Sequence, residues 1–424
     1  MADIVFAFDP AIHRPIPVPE SAPAEIAAAI SGAALAALEE AAAVATRAEA
    51  VALVVCGRLL DPSRASPAQA ARLRRTVMSL ASSGCRTVVV ADDTTICHDL
   101  ARMLGEPRGL AFVTPAAPLT LDVRGLAVEL VSAHGPAGAA AADVVTGEPS
   151  PLHRRVIIGW DNALWSADRW APDEPAYGVV PQPRLSATAA AFASTATSSA
   201  AWSQPGTFWI WASRQTQTLP VGVHALPPLQ PRSAEEAASG ACCTLTLLDR
   251  ASVDDAEPSG IAAPHAEWRG SWREVPTHRV AWRTVSVESP TGDDEELATL
   301  LWSALEKEPR DRTTAVELIR CSVACGTSVA RRVRVGEIAA ETLARLRGLY
   351  DPKAFPWWCV DLVAEPTESL APLGHARSGS RPGSTTSFSS ALADIVTMVE
   401  QSQTLPPAEA REAGWLALEL VESV

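Results

Sequence analysis

The chain has almost no lysine. Only Lys307 and Lys353 occur in 424 residues, so nearly all positive charge is arginine. Positive charge is short overall: 35 lysines and arginines face 49 acids, a formal net charge of −14. The sequence pI is ≈ 5.1. Such a balance argues against non-specific nucleic-acid binding by the chain alone, because duplex affinity rests on neutralising phosphates. A local basic stripe or a basic partner stays open. None of the eight cysteines forms a C-x-x-C pair; Cys242 and Cys243 are adjacent, and Cys321 and Cys325 lie four apart. Zinc-site spacing is therefore absent, and reduced thiols in a cytoplasm are expected. No basic-apolar-small leader opens the sequence, and no uninterrupted apolar run approaches ~20 residues. The expectation is a soluble, non-secreted protein without a membrane span. No tandem repeat is visible. What is abundant is apolar surface: hydrophobic content is 47% and mean hydropathy +0.09. That is enough for a sizeable core, in a chain long enough for two or three domains.

Three apolar runs organise the first part. They are Ile4–Asp9 (IVFAFD), Val51–Asp61 (VALVVCGRLLD) and Arg86–Thr95 (RTVVVADDTT). Short continuous apolar runs bounded by turn signals read as strands buried on both faces. Each ends in a polar loop, and in open α/β sheets that edge is where ligands sit. Between them lie an alanine-rich helix, Ala24–Ala48, and a helix opened by Ser66 and Pro67. A short helix over Asp99–Leu104 follows. This β-α-β-α-β order implies a parallel sheet with right-handed crossovers.

Further along, Leu110–Val113 reads as a strand and Leu119–Leu130 as a hairpin around Val123-Arg124-Gly125. Arg155–Gly159, Phe208–Ala212, Val221–His224, Cys243–Leu248 and Thr277–Val287 read as strands, the last closing a β-rich half. Asp293–Glu308 is an amphipathic helix with Leu297, Leu300, Leu301 and Leu305 on one face. A small α+β unit follows: strands at Thr314–Val323, Val329–Val335 and Trp357–Val363, and a helix at Gly336–Leu349. Thr367–Thr386 is rich in Ser, Gly, Arg and Pro, as a linker is. Helices over Ser389–Gln401 and Pro407–Ser423 end the sequence. The division read from this is 1–290, 291–366, a linker at 367–388, and helices within 389–424.

Seven short segments stand out in order. They are FDPAIHRPI (8–16), CGRLLD (56–61), ADDTT (91–95), WIWASRQ (209–215), PPLQPR (227–232), GACCTL (240–245) and VAWR (280–283). Together they resemble the calcineurin-like metallophosphoesterase superfamily, most closely bacterial DNA-repair exonuclease subunits of the SbcD and YhaO type. The resemblance covers most of the chain and is one of pattern more than identity. Asp9, Pro15, Ile16, Gly57, Asp61, Gln230 and Arg232 stand where that family's motifs have the same residues. It implies an α/β fold, a four-layer α/β/β/α sandwich, followed by the small α+β capping unit and C-terminal helices.

The same resemblance shows where the pattern is broken. The family's site holds two divalent ions ~3.5–4 Å apart between His and carboxylate ligands. Ala11 stands at the first His position, and Arg58, a cation without a lone pair, at the bridging Asp. Asp92 and Asp93 begin the tetrapeptide that carries Gly-Asn in the family, and Thr94 replaces its catalytic His. Asp161 and Asn162 follow the strand that should lead to another His. Ser213 and Gln215 replace the late His pair. The implied metal and catalytic set is thus none, with Asp9, Asp93 and Asp161 as vestigial candidates. Arg58, Asp61, Asp92, Thr94, Ser213 and Gln215 line the vestigial site. Arg58 either pairs with Asp9 or Asp93 or takes a phosphate. Asp92-Asp93 read either as a single-ion site or as strand-end acids. His13 and His98 read either as surface-loop histidines or as substitute ligands. Arg72, Arg74 and Arg75 read as a solvated helix face or a DNA contact, and the tryptophans mostly as core.

The expected function is a catalytically inactive, nuclease-like subunit. It would act as scaffold or DNA-end sensor for an SMC-like coiled-coil ATPase, in repair or defence, touching DNA through the complex. The family's partner contact implies a grip by Leu392, Ile395, Val396, Val399, Leu416, Leu418 and Leu420. Homodimerisation is expected, and no cofactor. One alternative is a Mn- or Mg-dependent phosphoesterase or exonuclease with a rearranged site of Asp9, Asp93, Asp161 and His13. The other is a homodimeric structural protein without a nucleic-acid role.

Overall fold

The computed structural model describes residues 2–19, 21–91, 94–132, 153–160, 207–213, 223–234, 236, 240–247, 270–289, 294–307, 314–334, 336–351 and 356–366. Among them the chain is α/β, with three sheets. The first is built from β1 (Ile4–Phe8), α1 (Ala24–Arg47), β2 (Ala52–Cys56), α2 (Pro67–Ser82), β3 (Arg86–Val90), α3 (Thr94–Leu104) and β4 (Leu110–Val113). These four strands run parallel, and β10 (Ala241–Leu247) and β11 (Gly270–Pro276) extend the sheet antiparallel beside β1. Every residue of β1 and β2 is buried, as the continuous apolar runs require. One face, with Val5, Leu53, Val55 and Val89, packs under α1 and α2. The opposite face, with Ile4, Phe6, Val54 and Val88, packs on Val128, Val156, Ile158 and Ile210 of the second sheet.

That second sheet has the order β5-β6-β7-β8-β9. Its strands are β5 (Leu119–Val123), β6 (Leu126–Ser132), β7 (His153–Trp160), β8 (Thr207–Ala212) and β9 (Val223–Leu226). β5 and β6 form an antiparallel hairpin; the other neighbours are parallel. Arg124 and Gly125 at its tip both have positive φ, 52° and 81°, the pairing that matches strand twist in a two-residue turn. The Arg124 guanidinium reaches back to buried Asp3 at 2.8 Å. Asp3 also accepts the Leu247 N–H at 2.6 Å, so one carboxylate joins both sheets.

The third sheet is all parallel, in the order β12 (Val280–Ser289), β13 (Val316–Cys325), β14 (Trp357–Pro366). One face is covered by α4 (Asp294–Lys307), α5 (Thr327–Arg334) and α6 (Ala339–Gly348) through Leu297, Leu301, Leu305, Val333 and Leu346. The other meets Ile16, Ile26 and Ile30. α1 therefore serves two cores: its first turns cover the third sheet and its later turns, from Leu35 to Ala45, cover the first.

Several expectations need correction. Val329–Val335 lies mainly in helix α5, not a strand: Val329, Ala330 and Val333 are the buried positions, a helical spacing that the alternating arginines disguise. The strand beginning near Thr277 does not close the earlier β-rich part. As β12 it pairs with β13, so the later unit shares its sheet with residues before 290. β11 is a further strand, paired antiparallel with β10, where the sequence pattern marks none. α3 begins at Thr94, not Asp99. Among the described residues one helix, α1, is long and apolar enough to cross a membrane, and half of that apolar window is buried against the sheets. The linker at 367–388 and the helices of 389–424 lie outside the described residues.

Candidate functional site

The tips of β1, β2 and β3 lie side by side because the backbone keeps pairing beyond the strands. Asp9 donates its N–H to the Cys56 carbonyl at 2.9 Å, Ala11 to Arg58 at 2.8 Å and Ile12 to Leu59 at 3.1 Å. Gly57 donates to Val90 at 3.2 Å. The turn off β1 is strained: Asp9 and Ala11 have φ of 44° and 37°, values that cost a non-glycine residue roughly 1–3 kcal/mol. The surrounding bonds over-determine the turn. Arg232 donates from one Nη to the carbonyls of Pro10 and Ala11 at 3.1 and 3.0 Å. Gln69 completes the α2 capping box with Ser66 and also donates to the Ile12 carbonyl at 2.9 Å.

His13 is buried, not a surface-loop residue. Its Nδ1 accepts the Asp61 N–H at 3.0 Å, so Nε2 carries the ring proton; that nitrogen is buried without a hydrogen-bond partner. Burial holds its pKa down at about 4, against the countering charge of Asp61. A ring whose acceptor lone pair is already taken and whose other nitrogen bears hydrogen offers a cation nothing. Asp61 accepts at Oδ1 from the Ser63 N–H and hydroxyl, at 2.9 and 2.7 Å. Those bonds hold its carboxyl below the usual range although partial burial opposes them.

Asp9 is buried at the β1 tip. Arg58 is half-buried at the β2 tip, and Thr94 is exposed in the first turn of α3. Ser213 is buried just past β8, its N–H donated to Leu226 at 3.2 Å. His98 is exposed on α3. Arg72 forms a two-point pair with Glu39 of α1, at 2.6 and 2.5 Å, which accounts for it structurally. Arg74 and Arg75 are exposed. Asp92, Asp93, Asp161, Gln215 and the leucine, isoleucine and valine positions from 392 to 420 lie outside the described residues. Among the described residues no group of three or more His, Cys, Asp or Glu side chains could hold a metal ion. With Ala11, Arg58 and the committed His13 ring at these tips, the described residues do not fit a two-metal centre.

Sequence reasoning missed a cavity. It encloses about 260 Å3 between the 57–64 loop and α3, and Arg14, Arg58, Arg64, Cys97, Phe112 and Trp160 are among its lining residues. They come from separate segments, and only Arg58 carried a local signal. No protein-family model matches the chain, and no curated protein matches it either.

Proposed function

We propose that the chain is a catalytically silent member of the metallophosphoesterase-like architecture, a cytoplasmic scaffold or end-sensing subunit for an SMC-like coiled-coil ATPase. The proposed fold is the four-layer α/β/β/α sandwich with a capping unit. The observation that carries this reading is the β2 tip: half-buried Arg58 stands there, at the position where the resemblance puts a shared carboxylate, next to a strained β1 turn ending in Ala11. A fixed guanidinium there repels divalent ions and donates no lone pair. Two face-to-face sheets with helices on the outer face of the first support the architecture. Gln230 and Arg232, kept from the family pattern, serve structure by bracing loops, as a scaffold requires. The carboxy-terminal apolar positions Leu392, Ile395, Val396, Val399, Leu416 and Leu420 are the proposed ATPase grip.

Tagged protein captured from its native host is expected to bring down a long coiled-coil ATPase, and the purified chain to leave linear duplex DNA intact with manganese. EDTA-sensitive digestion would favour the rearranged-site enzyme. Capture of the chain without any ATPase, as a homodimer indifferent to DNA, would favour the structural protein.

A further inference from the structure

The cavity beside α3 has a chemistry that the scaffold role does not use. It opens at the carboxyl ends of β2 and β3, the edge where open α/β sheets bind ligands. Its described walls fall into two parts. One is cationic: Arg14 from the loop after β1, Arg58 at the β2 tip, and Arg64 ahead of α2. Asp61 is the one carboxylate among the described lining residues. Its Oδ1 already accepts two bonds from Ser63, and Arg64 stands 3.9 Å from its Oδ2. The other part is apolar, with Leu100 and Phe112 opposite the loop and Trp160 reaching in from the second sheet.

We infer that this cavity binds a small organic anion, a carboxylate or phosphate head on a compact apolar body. Guanidinium groups recognise such heads through planar, charge-assisted hydrogen bonds, roughly twice as strong as neutral ones. The aromatic and aliphatic wall rewards a ring or branched chain behind the head. Inorganic phosphate would leave that wall unfilled; a neutral ring would gain nothing from the guanidinium groups. At about 260 Å3 the space lies just under the ~300–1,000 Å3 of drug-sized sites, so the body is a single ring or its equivalent. The chain's net charge of −14 does not oppose this, since charges beyond about 8–10 Å are screened at physiological salt. The inference stands on the cavity alone and is independent of the scaffold reading.

Calorimetry on the full chain, with benzoate and phenyl phosphate as probes and benzyl alcohol and inorganic phosphate as controls, tests it. Cys97 Sγ supplies the location, because Cys97 is the one cysteine among the described lining residues. Its alkylation by iodoacetamide, read by mass spectrometry, should slow when the cavity fills. At least one ring-bearing anion is expected to bind about tenfold or more tighter than both controls and to protect Cys97. The better of the two heads identifies carboxylate or phosphate. Arg58→Met should weaken that anion about tenfold, as should Arg64→Ala, at a side chain 66% exposed whose loss spares the fold. If Arg58→Met does not fold, Arg64→Ala decides. Binding no tighter than that of benzyl alcohol or phosphate overturns the inference, as does an affinity untouched by Arg64→Ala, or binding that leaves Cys97 alkylation unchanged.

Discussion

Gln230→Leu is expected to lower the unfolding free energy by roughly 3–5 kcal/mol, because four hydrogen bonds of a buried side chain vanish together. Gln230 is 1% exposed. Its Oε1 accepts the N–H groups of Arg279 and Val280 at 2.8 and 3.1 Å. Its Nε2 donates to the carbonyls of Pro231 and Val280 at 2.9 and 2.8 Å. The amide thus clamps the loop after β9 to the first residue of β12. Leucine has similar volume but leaves those backbone groups buried and unpaired, the costly side of hydrogen-bond energetics. Glu40 cannot compensate; it reaches Arg279 only at the guanidinium, at 2.9 Å, in a part-buried pair that leaves the backbone N–H groups untouched. Urea denaturation checks this through the shift in midpoint. Gln230→Glu sets a buried carboxylate against the carbonyls of Pro231 and Val280, so at neutral pH it should be at least as unstable as the leucine variant. Equal stability of wild type and Gln230→Leu would mean that the clamp is not formed.

Acid should destabilise the protein through His13. Above its ordinary pKa of 6.5 the ring is neutral in both folded and unfolded chains, and its contribution does not vary. Below 6.5 the unfolded chain takes up a proton, but the folded chain resists until about pH 4. Burial is the main cause of the resistance, and protonating Nδ1 would also set one N–H against the Asp61 N–H that it now accepts. Stability is therefore lost as pH falls from 6.5 towards 4, by about 2–3 kcal/mol. Asp61, whose carboxyl pKa is lowered, adds a loss in the same direction at lower pH. His13→Asn keeps an acceptor near the Nδ1 position and cannot titrate. The difference between the two proteins' stability–pH curves should be flat above pH 6.5 and fall below it. Parallel curves through that range would show that the ring is not held neutral.

The sequence made β1, β2 and β3 legible because these strands are almost wholly buried. IVFAF and ALVVC are wholly apolar and RTVVV is so after its first two residues, and the intervening helices carry a cap, Ser66-Pro67, or strong alanine propensity. The hairpin was legible from Arg124-Gly125. The third sheet was less so. THRVAWRTVSV announces a strand but not a partner, and nothing local says that it pairs across α4 with β13. In α5 the arginines gave a false period of two over a helix whose buried face is Val329, Ala330 and Val333. The candidate site was legible only as departures, at strand tips, from the pattern of the family that the sequence resembles. His13 looked like a loop histidine, since its burial depends on Asp61, 48 residues away. The cavity needs Arg14, Arg64, Phe112 and Trp160 together, and only folding brings them to one place.

The most direct trial of the proposed absence of a two-metal centre is a crystal of the full chain soaked in manganese, with anomalous difference density inspected between the tips of β1, β2 and β3. The predicted result is no pair of peaks there. Two peaks about 3.5–4 Å apart, bracketed by Asp9 and the neighbouring loops, would contradict it.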